Sequence, residues 1–237
     1  MGLLSIGRFP ANTEQVREEV IKVFHSVVES SLPLDSLPSK YFFCVRRDAI
    51  DDYSTYLIEE YVNKLPHTHY ANVTYNARYD GITSPSYQPI NKISQRMLQQ
   101  LRDSGSVVNT FEHLVLGISK GFLRKDMKNY TDPYIVFASL EYDTTASAEQ
   151  ALHGFHSVSA FSEGEEPGTI SYNVVQDLQD PHVIRTLEFY TDEDYLWNVH
   201  AISNAVQENK KRQGNSRLRT DFVFFRLIGR YVWSNPS

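Results

Sequence analysis

Apolar residues recur at three- and four-residue spacing between Thr13 and Ser31, where Val16, Val20, Val23, Phe24, Val27 and Val28 share one face. That period predicts an amphipathic helix, capped by the side-chain oxygen of Asn12 or Thr13. A proline-bearing connector from Ser31 to Pro38 follows. Tyr41 to Arg46 is then expected as a strand and Asp51 to Lys64 as a helix. His69 to Tyr79 alternates like a strand, Ile93 to Arg102 has helical spacing, and Phe111 to Ser119 is again strand-like. The polar stretch from Gly121 to Asp132 runs into Asp132-Pro133, which marks the best boundary between two halves.

The second half has the cleaner pattern. Strands are expected at Tyr134 to Tyr142, Thr169 to Gln176, His182 to Tyr190 and Phe222 to Trp233. Helices are expected at Ser147 to Val158 and Asp194 to Lys210. Glu166-Pro167-Gly168 and Asp180-Pro181 supply the turns, because proline sets φ and glycine tolerates the tight positions. The order is βαββαβ, the split ferredoxin-like unit.

Two short echoes relate the halves. Val73-Thr74-Tyr75-Asn76 repeats as Ile170-Ser171-Tyr172-Asn173, and Tyr41-Phe42-Phe43-Cys44 as Tyr134-Ile135-Val136-Phe137. The fold class expected is therefore α+β: duplicated ferredoxin-like units forming an α+β barrel within one chain. Residues 1–122 would be a degenerate N-terminal half with a leading helix, and residues 123–237 the better-preserved half. Two such units satisfy internally the need to bury sheet faces that a homodimer meets between subunits.

Charge narrows the function classes. The net charge is −6 and no long basic run occurs, which argues against nucleic-acid binding. The single cysteine, Cys44, precludes an internal disulfide and suits a reducing, cytoplasmic setting. No leader pattern and no apolar run of about 18 residues is present, so no membrane span is expected. Aromatic residues make up 13% of the chain, enough to fill a core or to wall a flat ligand.

The run Glu166-Pro167-Gly168-Thr169, with Tyr172, Asp180-Pro181, Glu188, Tyr190, Asp192 and His200, resembles the antibiotic-biosynthesis monooxygenase family of the dimeric α+β barrel superfamily. The resemblance covers about residues 133–233. It implies the barrel fold and, in many members, oxidation of aromatic substrates without metal, flavin or haem. Other members are isomerases, haem-degrading enzymes or proteins of other roles, so the motif speaks first for the fold.

His200 is the leading catalytic candidate. With about 100° per residue, Tyr195, Val199, Ile202, Ser203 and Val206 form the inward stripe of the last helix, and His200 lies at its edge. There it would either accept a phenolic proton or serve as a hydrogen-bonded helix histidine. Glu188 and Tyr190 share one strand face, and Tyr172 stands on the neighbouring strand. These tyrosines would orient an oxyanion or peroxide, and Glu188 would act as a base if desolvated, or else pair with Arg185 or a nearby lysine. Asn198, Arg185, Tyr75, His69 and Trp197 complete the expected substrate-binding set, although the wheel aims Trp197 away from its own sheet. The pairs His153/His156 and His67/His69 lack a third ligand, so no metal site is expected.

No phosphate loop, dinucleotide fingerprint or serine elbow occurs, which favours a cofactor-independent enzyme. The expected function is tailoring of an aromatic polyketide or similar phenolic, with dioxygen as co-substrate. The chain would be a monomeric pseudo-dimer or a homodimer. The alternatives are a cyclase or decarboxylase on the same fold, a haem binder, and a non-catalytic barrel.

Overall fold

The computed structural model describes residues 2–31, 40–47, 52–61, 103, 112–177 and 180–228. The chain divides into two compact units, one comprising Met1–Gly2 and Leu116–Arg230, the other Leu3–Val115 and Tyr231–Ser237. Its strands belong to the α+β barrel class expected from the sequence.

In the unit built from residues 3–115, β1 (Gly2–Phe9), β3 (Thr55–Tyr61) and β2 (Lys40–Arg46) pair antiparallel in the order β1-β3-β2. Helix α1 (Glu14–Ser31) buries Val20 and Phe24, and the Phe24 ring stacks on Phe43 at 3.8 Å. Two elements differ from expectation. β1 was not anticipated, and the segment read as a helix over Asp51 to Lys64 contains β3 instead. Asp52 explains the difference: its carboxylate accepts hydrogen bonds from the Ser54 amide at 2.9 Å and the Tyr56 hydroxyl at 3.0 Å. It thereby makes a turn into a strand rather than a helix cap. Partners on both sides then hold Thr55–Tyr61 extended. The strand expected at His69 to Tyr79, the helix at Ile93 to Arg102, and the echo around Tyr75 lie outside the described residues.

The other unit contains the expected βαββαβ sequence. β5 (Tyr134–Tyr142), α2 (Thr145–Glu165), β6 (Thr169–Asp177), β7 (Val183–Tyr190), a helical segment over Glu193–Gln213, and β8 (Arg217–Leu227) follow in order. Antiparallel pairing gives the sheet order β8-β5-β7-β6, with β4 (Glu112–Leu123) added beside β6. β4 runs four residues beyond the expected strand end, because Lys120 to Leu123 pair with Val174 to Ser171 past a bulge at Ser119. Thr144 caps α2 by accepting from the Ser147 amide at 3.1 Å. The helix lays Ala148, Ala151, Phe155 and Val158 on Ala138, Leu140, Tyr142, Tyr172, Val174 and Ile184. β8 begins at Arg217, five residues before expectation, and the stretch to Trp233 lies outside the described residues.

The last helical segment is not one helix. Asp192 caps a single α-turn, Glu193–Tyr195, by accepting from the Tyr195 amide. A π-turn, Leu196–His200, follows, in which the Ala201 amide donates to the Leu196 carbonyl five residues back. Ser203 then restarts the chain as the cap of α3 (Asn204–Gln213). The widened turn breaks the 100° count. Val199 and Ile202, expected to face inward, are 40% and 64% exposed, whereas Leu196 and His200 are buried.

Candidate active site

Glu166 ends α2, its amide donating to the Ser162 carbonyl at 3.2 Å. Its carboxylate turns inward beneath the Pro167-Gly168 turn. There Oε2 lies 2.7 Å from Nδ1 of His200 and accepts from the Thr169 hydroxyl at 2.8 Å. Both partners are buried, at 3% and 5% exposure, so the pair is shielded from screening by solvent. Burial opposes the charge on Glu166. The hydrogen bond and charge of His200, with the Ser162 and Thr169 hydroxyls, outweigh it and hold this carboxyl at about 2.

The turn is built around this contact. A Cβ on Gly168 would lie 2.3 Å from the Tyr195 ring, so only glycine lets Tyr195 pack on the turn. Arg124, which follows β4, closes the helix end. Its Nη2 donates to the carbonyls of Ser162, Glu163 and Glu166 at 3.1, 2.9 and 3.1 Å, and its Nε to that of Thr169 at 2.9 Å. Three of these carbonyls lie at the C-terminal end of α2, where a cation suits the dipole, and the fourth opens β6.

Two phenols face the imidazole. The Tyr172 and Tyr190 rings lie 5.4 Å and 5.1 Å from that of His200, centroid to centroid. Tyr190 donates its hydroxyl to Oε2 of Glu188 at 2.6 Å, and Glu188 stands opposite Tyr172 in the β6–β7 register. Burial and then the Glu188 charge raise both phenols well above the usual tyrosine range. They therefore stay protonated and can donate. The order in space is carboxylate, imidazole, two phenols, carboxylate. An ionised Glu166 calls for a proton on Nδ1, so the other ring nitrogen, Nε2, is the one through which His200 can exchange a proton. That is the arrangement of an oriented general base.

The structure thus brings together His200, Tyr172, Tyr190 and Glu188, the four expected catalytic residues. It does not bring the described members of the substrate-binding set to them. Arg185 lies on the opposite sheet face from Glu188, where it meets Asp177 at 2.6 Å and Ser139 at 3.0 Å. The alternative of an Arg185–Glu188 pair is therefore not met, because side chains three apart on a strand point to opposite faces. Asn198 is exposed and donates to Asp194 one turn earlier. Trp197 sits edge-on to Phe224 of β8, at 6.3 Å, so it contacts its own sheet rather than pointing away. Tyr75 and His69 lie outside the described residues. Of the two histidine pairs considered for metal, His153 and His156 place their rings 6.2 Å apart, and His156 Nε2 meets the Ser119 hydroxyl at 2.7 Å.

Glu166, Ser162, Thr169 and Arg124 were missed as site residues. Glu166 and Thr169 stand in the Glu166-Pro167-Gly168-Thr169 motif, whose sequence speaks for a turn and a fold and not for the inward course of the carboxylate.

The fold is α+β and monooxygenase-like. Residues 145–212 match the family model of antibiotic biosynthesis monooxygenases, a span that holds Glu166, Tyr172, Glu188, Tyr190 and His200. Solved structures share the fold over nearly the whole chain. A protein of Lactobacillus acidophilus, provisionally named a monooxygenase, superposes with a TM-score of 0.70 at 14% identity, over 98% of this chain and 96% of its own. Another of that provisional name, from Fusobacterium nucleatum, gives 0.71 at 11% identity, over 98% and 94%. An anthrone oxidase-like protein gives 0.55 at 10% identity, over 96% and 92%. No curated protein sequence matches the chain.

Proposed function

We propose that this protein is a tailoring enzyme for an aromatic polyketide or similar phenolic, and that it oxygenates an anthrone or dihydroquinone to a quinone without a bound cofactor. The observation that carries this reading is the buried Glu166–His200 pair set against two protonated phenols. His200 Nε2 takes a proton from the substrate. The resulting carbanion or phenolate gives electrons to dioxygen and forms a carbon–oxygen bond. Loss of water then breaks the oxygen–oxygen bond, so one oxygen atom ends in the quinone and the other in water. Tyr172 and Tyr190 stabilise the anion by donating hydrogen bonds, with Glu188 holding Tyr190. The likeness to an anthrone oxidase-like structure supports the substrate class, and the sequence's lack of nucleotide motifs supports chemistry without a cofactor.

We keep Asn198 and Trp197 in the substrate-binding set through the family resemblance, and Arg185, Tyr75 and His69 as candidates from the sequence alone. The two-half organisation, 1–122 and 123–237, the cytoplasmic setting and a pseudo-dimeric monomer or homodimer belong to the same proposal. Among the described residues no helix is long and apolar enough to cross a membrane.

A cyclase or decarboxylase is the second reading, favoured by Glu188, a buried carboxylate set among phenols that could work without oxygen. Chelator-treated protein incubated with an anthrone in an oxygen electrode tests the first. Oxygen uptake with quinone formation supports it. Turnover of a polyketide substrate under argon, with no uptake in air, replaces it with the second.

A further inference from the structure

Between α2 and α3 lies a cleft of about 240 Å³, away from His200. We propose that it is a second binding site, for a small molecule carrying a carboxylate or phosphate group. The walls include Gln150, His153, Asn209, Arg212 and Gln213, and no aspartate or glutamate lines it. In a chain of net charge −6 that exclusion concentrates donors where an anion would sit.

Gln213 supplies the second observation. It is 7% exposed, and its Oε1 accepts from the Tyr142 hydroxyl at 3.0 Å. That bond fixes the amide and leaves Nε2 buried, with no acceptor among the described residues. An unpaired buried donor is a standing cost, which an acceptor brought within its reach would relieve. Arg212, beside it, has no carboxylate partner among the described residues, and its planar fork fits an oxyanion in two-point fashion. Asn209 is buried against Gly154, where a Cβ would lie 1.9 Å from Oδ1, and its amide hydrogen-bonds no described residue. Glycine at 154 thus makes the room in which Asn209 presents its amide. The volume lies just under that of typical drug-sized sites, which begin at about 300 Å³, and so suits a compact metabolite.

Titration of the full-length protein with inorganic phosphate, and separately with benzoate, followed by amide chemical shifts, tests the proposal. Saturable shifts are expected at Gln213, Asn209 and His153 with one or both probes. Arg212→Gln, on an exposed position whose loss leaves the fold intact, weakens binding about ten- to hundredfold. Gln213→Leu weakens it as well if the variant folds. Phosphate alone binding identifies a phosphate site; benzoate alone identifies a carboxylate site with an apolar body. No saturable shifts with either probe, or equal affinity in Arg212→Gln, overturns the proposal.

Discussion

Nδ1 of His200 lies 2.7 Å from Oε2 of Glu166, joining the end of α2 to the π-turn across 34 residues of chain. The contact has a pH signature. Glu166 titrates at about 2 in the fold against an ordinary 4.5. A depressed carboxylate contributes stability that is complete above its unfolded pKa and is lost as pH falls through its folded one. Between about pH 5 and pH 2 the wild type should lose on the order of 3 kcal/mol that Glu166→Gln does not lose. Urea unfolding across that range, compared between the two proteins, checks it; parallel pH profiles would refute the linkage.

Arg124 should matter more for stability than its position after a strand suggests. Removing it strips three carbonyls at the end of α2 and one at the start of β6 of a charged donor. Arg124→Ala is expected to cost on the order of 3 kcal/mol, measured by chemical denaturation. A cost below about 0.5 kcal/mol, the ordinary surface value, would show that water replaces the guanidinium.

Tyr172 and Tyr190 should resist ionisation in alkali. Their phenols are raised well above the usual range, by burial and then by Glu188. Absorbance titration of tyrosinate should therefore count as many ionising tyrosines in Tyr172→Phe and Tyr190→Phe as in wild type up to about pH 11, near the ordinary value of roughly 10. A variant that loses one titrating group in that interval would show its tyrosine to be accessible.

The π-turn predicts an asymmetry between neighbours. Leu196 is buried and Trp197 is 42% exposed. Leu196→Ala should destabilise by about 2 to 5 kcal/mol, and Ile202→Ser by less than about 0.5 kcal/mol. A regular helix on the expected wheel would make Ile202 the costly one. Thermal unfolding of the two variants decides between these geometries.

Much of the fold was legible because local signals agreed. Turn residues at Glu166-Pro167-Gly168 and Asp180-Pro181, with alternating strands between, specified the βαββαβ unit and the Tyr172, Glu188 and Tyr190 faces. The misreadings arose where a local pattern was overruled. Asp52 resembles a helix cap but opens a strand. Val199 and Ile202 have helical spacing, yet a hydrogen bond from Ala201 to Leu196 rotates them outward. The pairing of Glu166 with His200, and of Arg124 with the helix end, joins residues distant in sequence. Periodicity carries no information about such contacts, and the motif could announce only its turn.

The central claim is that His200, oriented by Glu166, removes a proton from an aromatic substrate. The most direct measurement is the turnover number for oxygen uptake by His200→Gln with an anthrone, alongside wild type and with folding verified by circular dichroism. A loss of about a hundredfold or more is predicted, the ordinary worth of a general base. Turnover at the wild-type rate in the folded variant would contradict the account.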